Sequence, residues 1–167
     1  MTKQDFVNSF KPFAIQTQEK TGIDARFILA QAALESGWGK VSPGNMFFGV
    51  KDTDGINGNE QLLTTTEYSR SANLKFPVIL SVTPVIRNGQ KWFKYKVKDY
   101  FRKFDTPEQS FTHHANFFLV NKRYANALKV KENPYDFADE VAKAGYATDP
   151  DYSKTLRKLI KSIDQYF

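Results

Sequence analysis

Asn88-Gly89 sits between two runs of strand-forming residues, Phe76 to Ile86 and Gln90 to Tyr100. An Asn-Gly pair in that position is the strongest short-range hairpin signal, because both residue types tolerate the left-handed backbone that a two-residue turn demands. The centre of the chain is thereby committed to antiparallel β-structure. Pro77 and Pro84 cannot donate to a ladder, so they assign their run to an edge or a bulge. Thr64-Thr65-Thr66-Glu67-Tyr68 is β-branched and aromatic and reads as a further strand. Gly, Asn, Asp and Thr dominate from Pro43 to Thr66.

The two ends have helical period instead. Phe6, Phe10, Phe13, Ala14 and Thr17 predict a helix over residues 3–20, which Thr21-Gly22 ends. Ile23, Phe27, Ala30, Ala33 and Leu34 form the apolar stripe of a second helix, from about Asp24 to Ser36, with Gly37 and Gly39 closing it. After the hairpin, Thr106-Pro107, Asn133-Pro134 and Asp149-Pro150 each place a capping residue before a proline. That pairing is an N-cap followed by the first helical position, so helices should begin near residues 107, 134 and 150. A shorter helix is expected from Lys122 to Lys129. The last helix puts Leu156, Leu159, Ile160 and Ile163 on one face and Lys154, Arg157, Lys158 and Lys161 mostly on the other, the pattern of a packed helix with a solvated face.

A chain of 167 residues is sized for one domain, or one core with a lobe, and can bury a sizeable core unaided. It has no cysteine, which excludes disulfides, thiolate metal sites and a cysteine nucleophile. The net charge of +6 draws it toward polyanions such as nucleic acid, anionic lipid or a carboxylate- and phosphate-bearing wall. The longest apolar runs, such as Phe76 to Leu80, are too short to span a bilayer. Met1-Thr2-Lys3-Gln4-Asp5-Phe6 carries no secretory signal pattern.

Glu35 is the residue that fits its surroundings worst. It lies in the last turn of a mostly apolar helix, between Leu34 and Gly37-Trp38-Gly39. The negative end of the helix dipole and a semi-apolar setting both disfavour its charged form and should raise its pKa. A general acid working near neutral pH needs that property, although a surface carboxylate at a frayed helix end has the same sequence. His113-His114 are adjacent, whereas metal pairs on helices stand at i and i+4, so a structural or surface role is expected and no metal site. No Ser-His-Asp signature, phosphate loop or dinucleotide fingerprint is present.

Ala32-Ala33-Leu34-Glu35-Ser36-Gly37-Trp38-Gly39, with Ile28-Leu29-Ala30-Gln31 before it, resembles the catalytic motif of the flagellar-type peptidoglycan hydrolases, the β-N-acetylglucosaminidases of glycoside hydrolase family 73. Asn45-Met46-Phe47-Phe48-Gly49-Val50-Lys51 is similar to the family's Asn-Xaa-Phe-Gly-Val-Lys segment, with one residue extra or substituted. Thr64 to Tyr68 resembles the family's strand carrying a second acidic residue. Phe101-Arg102-Lys103-Phe104, Arg123-Tyr124 and the segment Ala144 to Tyr152 also match in order, so the resemblance spans nearly the whole chain. The stretch from Tyr68 to Phe101 is longer than the family's usual connection and would enlarge a β-lobe.

The resemblance implies an α+β, lysozyme-like fold: a mainly helical body, a small β-lobe over about residues 46–105, and an intervening substrate groove, all in one catalytic domain of residues 1–167. It implies a hydrolase of β-1,4 bonds in peptidoglycan glycan strands, an endo-β-N-acetylglucosaminidase, with N-acetylmuramidase specificity or an inactive wall-binding module as alternatives. Glu35 would be the acid. Glu67 would be the second carboxylate, roughly 6.5–9.5 Å from the first if water is activated on the opposite sugar face. A substrate-assisted route through the N-acetyl oxygen would not need Glu67, and Glu60 is its nearest competitor. Tyr146 would orient the N-acetyl group or stabilise developing charge. Trp38 and Tyr124 would stack on sugars, and Asn45 and Phe48 would complete the substrate-binding set. The expected partner is the glycan strand, with no cofactor, no nucleic acid, no stable membrane insertion and a monomeric state. Its place of action would be the bacterial wall, periplasmic or extracellular, reached through a phage, a secretion system or a trimmed precursor.

Overall fold

A computed structural model describes all 167 residues, as two compact units. One comprises residues 1–48 and 104–167 and is helical; the other, residues 49–103, holds the sheet. No helix is long and apolar enough to cross a membrane.

The helical unit contains α1 (Lys3–Thr21), α2 (Ala25–Ser36), α3 (Pro107–Val120), the short α4 (Ala125–Leu128), α5 (Pro134–Lys143) and α6 (Tyr152–Asp164). Single 3₁₀ turns lie at Pro43–Asn45 and Lys122–Tyr124. The capping signals explain the starts. Thr106 Oγ1 accepts from the Gln109 amide and Asn133 Oδ1 from the amides of Tyr135 and Asp136, so both Pro residues occupy the first turn as expected. The third mark works differently. Asp149 Oδ1 accepts from the Asp151 amide, which makes a turn over Pro150 and delays the helix to Tyr152. At the front of α1, Thr2 and Asp5 exchange reciprocal bonds in a capping box.

The core of this unit is aromatic. Phe27 packs on Phe137 at 4.5 Å and on Phe118 at 5.8 Å between centroids, while Phe47 and Phe111 meet at 5.0 Å. Leu156, Ile160 and Ile163 close it from α6 and are fully buried. Burying each such side chain is worth roughly 1.5–3 kcal/mol. α2 lies at the centre: of its twelve residues nine are buried, and its two exposed residues, Leu34 and Glu35, lie at its C-terminal end.

In the second unit, β1 (Glu60–Ser69), β2 (Val78–Arg87) and β3 (Gln90–Arg102) form an antiparallel sheet of order β1-β3-β2. Asn88 and Gly89, at φ of 51° and 73°, make the tight turn. β2 is an edge strand, which is how Pro84 is accommodated, and it has a register shift between Ile79 and Ser81. Tyr95 and Val97 are the only hydrophobic residues buried here. Tyr95 is covered by residues 71–76: its hydroxyl donates to the Ser71 carbonyl and accepts from the Leu74 amide, and Phe76 packs on its ring at 5.6 Å.

Candidate active site

Three consecutive left-handed residues end α2: Gly37 at φ 59°, Trp38 at 60° and Gly39 at 78°. Gly37 and Trp38 return their amides to the Ala33 carbonyl, and Ser36 Oγ donates to the Ala32 carbonyl and accepts from the Gly39 amide. This sharp stop leaves Glu35 at the helix rim. Trp38 pays about 1–2 kcal/mol for its backbone conformation, offset by edge-on packing against Phe6 at 5.5 Å. Gly39 has a second constraint: a Cβ there would lie 3.2 Å from Phe6 and 3.3 Å from Met1. The Glu-Ser-Gly-Trp-Gly string is therefore a device that stops a buried helix within one turn and holds its last carboxylate outward.

Glu35 is exposed, yet protein surrounds enough of its carboxyl for burial alone to raise the pKa, with no cation to oppose it. Tyr146 and Tyr152 lie near enough for the Glu35 charge to act on both. The Tyr146 hydroxyl is pushed well above its ordinary range, by burial first and then by the charges of Tyr152, Glu35 and Tyr124. The Tyr152 hydroxyl is pushed up to about 12, again chiefly by burial. Both therefore remain protonated donors. Gly145, at φ 87°, ends the α5 region and turns Tyr146 back onto the core, where its ring stacks on Tyr152 at 5.5 Å and 25°.

Beneath these groups runs a buried polar file that the sequence did not single out. Gln31 stands four residues before Glu35, on the same face of α2. Its Nε2 donates to Tyr152 Oη at 2.9 Å, and its Oε1 meets His114 Nε2 at 2.7 Å. A carbonyl oxygen only accepts, so His114 carries its proton on Nε2. Burial and the neighbouring His113 hold the His114 pKa down to about 3, so the ring is neutral. Phe48 stacks on it at 3.7 Å and 10°. Since Tyr152 Oη already accepts from Gln31, its own proton is left to donate. The one signal that could have found this file is Gln31, a fully buried amide in an apolar helix, which must have partners.

The remaining candidates are placed unevenly. Tyr124 is 1% exposed and wedged against Phe118 and Phe117, and Phe48 is 6% exposed under His114. Neither ring has a face for a sugar; they support Tyr146 and His114 instead. Asn45 uses its Nδ2 on the carbonyls of Phe104 and Asp105, at 3.0 and 3.2 Å, and so pins a chain crossing rather than a ligand. All three are engaged with protein in this structure. Trp38 is half-buried and keeps part of its ring open.

Glu67, the candidate second carboxylate, lies in the sheet unit. Glu67 Oε1 accepts from Lys51 Nζ at 2.6 Å, and the same ammonium reaches Asp99 Oδ2 at 2.8 Å. Burial would lower the Lys51 pKa, but Asp99 and Glu67 outweigh it and the ammonium is held raised. For Asp99, burial is overcome by the Lys51 bond and the Tyr100 amide, and the pKa is lowered. Glu67 and Asp99 line a recess of about 410 Å³ with Tyr68, Leu74, Phe76 and Tyr100. Glu60, the competitor, spends Oε2 on the Gly58 amide at the start of β1. No group of three or more His, Cys, Asp or Glu is arranged to hold a metal ion.

Comparison with known proteins shows the family. Residues 11–165 match the glucosaminidase family model, described as mannosyl-glycoprotein endo-β-N-acetylglucosaminidase. The chain is 32% identical to the peptidoglycan hydrolase FlgJ of Pseudomonas aeruginosa over 97% of its own length and 37% of that protein's. It is 31% identical to FlgJ of Vibrio cholerae, over 98% of its length and 45% of the relative's. It thus spans less than half of the curated relatives it matches most strongly. Among solved structures, the C-terminally truncated glycoside hydrolase domain of Salmonella typhimurium FlgJ superposes with a TM-score of 0.71 at 30% identity, covering 98% of this chain and 99% of that one.

Proposed function

Given that the chain belongs to the glucosaminidase family of glycoside hydrolases, with the lysozyme-like α+β fold its motifs led us to expect, we propose that it cleaves β-1,4 glycosidic bonds of peptidoglycan as an endo-β-N-acetylglucosaminidase. In this reading residues 1–167 act as one catalytic domain on the bacterial wall. The observation that carries the proposal is Glu35: a carboxyl held partly out of water at a helix C-terminus, with no counter-cation and two protonated tyrosines beside it. Such a group keeps its proton toward neutral pH and can transfer it.

Glu35 donates its proton to the glycosidic oxygen as the bond to the anomeric carbon breaks. The Tyr146 hydroxyl binds the acetamido group or the charge that develops there, and the open part of Trp38 takes a sugar face. Glu67 is the second carboxylate. Lys51 occupies its Oε1 and orients it, and the other oxygen takes a proton from the attacking water. Water attack from the opposite face inverts the anomeric centre and requires the two carboxylates roughly 6.5–9.5 Å apart in the substrate complex.

Product analysis tests the specificity. Digested walls, reduced with borohydride and analysed by mass spectrometry, should end in reduced N-acetylglucosamine. Reduced N-acetylmuramic acid ends would replace the glucosaminidase assignment with a muramidase, and the absence of new reducing ends would remove the hydrolase reading altogether.

A further inference from the structure

The sheet has two unlike faces. Residues directly opposite one another in an antiparallel pair project to the same side, so the register sorts every side chain. One side carries Glu67, Asp99, Phe101, Tyr95 and Val97, and is partly covered. The other carries Lys94, Lys96 and Lys98 in file along β3, the central strand. Thr64 and Thr66 stand opposite Lys98 and Lys96 on β1, and Ser81 and Thr83 opposite Lys96 and Lys94 on β2. Tyr68 and Val78 complete the pairs. No strand carboxylate stands opposite any of the three ammonium groups; Glu60 lies at the far end, across from Arg102, which is itself paired with Asp54 at 3.2 Å.

Alternate residues of a strand are about 7 Å apart on one face. The three lysines therefore form a straight row of positive charge, bordered by hydroxyls on both neighbouring strands. At one end, Arg87 lies over the rings of Tyr68 at 4.3 Å and Trp92 at 5.4 Å, and Arg70 bonds Gln90 and lies over Trp92. Tyr100 flanks the other end and is exposed. The arrangement is open, flat and linear. It suits a long ligand with evenly repeated anions, not a compact one. Lysine binds phosphate as a compact point charge with three freely turning donors, so a file of lysines can follow a flexible polyanion without a fixed fork geometry. Hydroxyl donors between the lysines match phosphate oxygens, and the aromatic ends match the apolar surface of the linking carbons or sugars.

We propose that this outer face of the sheet is a docking surface for an extended phosphodiester polymer of the cell wall, separate from the side that carries Glu67. The wall location rests on the hydrolase reading above; the binding does not require Glu35. Docking on such a polymer would concentrate the protein at its substrate and make its retention salt-dependent.

The test uses the full chain carrying Glu35→Gln, so that hydrolysis plays no part. Its retention on purified walls is measured before and after hydrofluoric acid removes phosphodiesters, and its affinity for soluble poly(glycerol phosphate) is measured across a salt series. We expect strong loss of retention on stripped walls. The Lys94→Gln/Lys96→Gln/Lys98→Gln variant should bind the polymer at least tenfold more weakly, with a salt slope about two units shallower, and the corresponding triple Arg variant should bind like the parent. An unchanged melting temperature assures folding, and with Glu35 restored the Gln variant should cleave short soluble glycans at the parental rate. Equal retention on intact and stripped walls would overturn the proposal, as would polymer binding unaffected by the three Gln substitutions. Tighter binding to single-stranded DNA than to poly(glycerol phosphate) would reassign the face to nucleic acid and overturn it too.

Discussion

The two carboxylates assigned to the reaction are kept in opposite ways. Glu35 ends a helix that is buried in an aromatic core and has no cation beside it. Glu67 stands on a three-stranded sheet with only two buried hydrophobic residues, and is tied to Lys51 together with Asp99. The first environment makes the charged form costly; the second fixes one carboxylate oxygen on an ammonium group. The same residue type is thus held by packing in one place and by ion pairing in the other. The difference extends to mechanics. Glu35 belongs to a rigid lattice of rings, whereas the sheet depends on backbone pairing and few large anchors, the composition of a region that opens at low cost.

The hardest test of that contrast is removal of the proton donor. Glu35→Gln keeps the size and should lower kcat on purified walls by at least about a thousandfold, the range expected for loss of a general acid; clearing at near wild-type rate would end the assignment. Glu67→Ala should cost less, about a hundredfold. Added azide should restore turnover by replacing the activated water and should yield an inverted glycosyl azide, identifiable by NMR. Full activity in Glu67→Ala would leave the attack to Glu60 or to the substrate's own acetamido oxygen. Lys51→Met asks whether the ion pair matters. It should reduce kcat several-fold at nearly constant KM, and Lys51→Arg should recover most of the loss; an effect on melting temperature alone would make Lys51 structural.

The smallest effect is thermodynamic. A carboxyl whose pKa is raised by folding binds protons more readily in the native state, so its contribution is fully present below the unfolded pKa and is lost as pH rises through the folded one. Glu35→Gln has no such dependence. Its melting temperature should exceed the parent's by about a degree or two at pH 7, with the gap closing toward pH 4. A gap independent of pH would mean that burial does not disfavour the Glu35 charge.

Much of this was readable from local rules. The hairpin at Asn88-Gly89, the edge position of the Pro84 strand and the starts of α3 and α5 follow from turn and capping chemistry within a few residues. Asp149-Pro150 shows the boundary of such rules: Asp149 bonds the Asp151 amide as Asn133 bonds that of Tyr135, yet the helix begins only at Tyr152. Long-range partners were not readable. The burial of Tyr124 and Phe48 and the chain-pinning bonds of Asn45 were not visible in their motifs, since they depend on which segments meet. His114 and Tyr152 join Gln31 across 83 and 121 residues of sequence, a separation at which no spacing rule operates.

That buried file also has a bearing on how α2 is set. A helix surrounded by smooth hydrocarbon could rotate or slide by small steps with little penalty, carrying its last carboxylate along an arc. Gln31 prevents this, because any turn of α2 about its axis would break its bonds to α3 and α6 at once and strand its own fully buried amide. Stranding one such group costs about 1–3 kcal/mol. The file therefore acts as an angular stop, and the aim of Glu35, one helical turn above, is indexed to it.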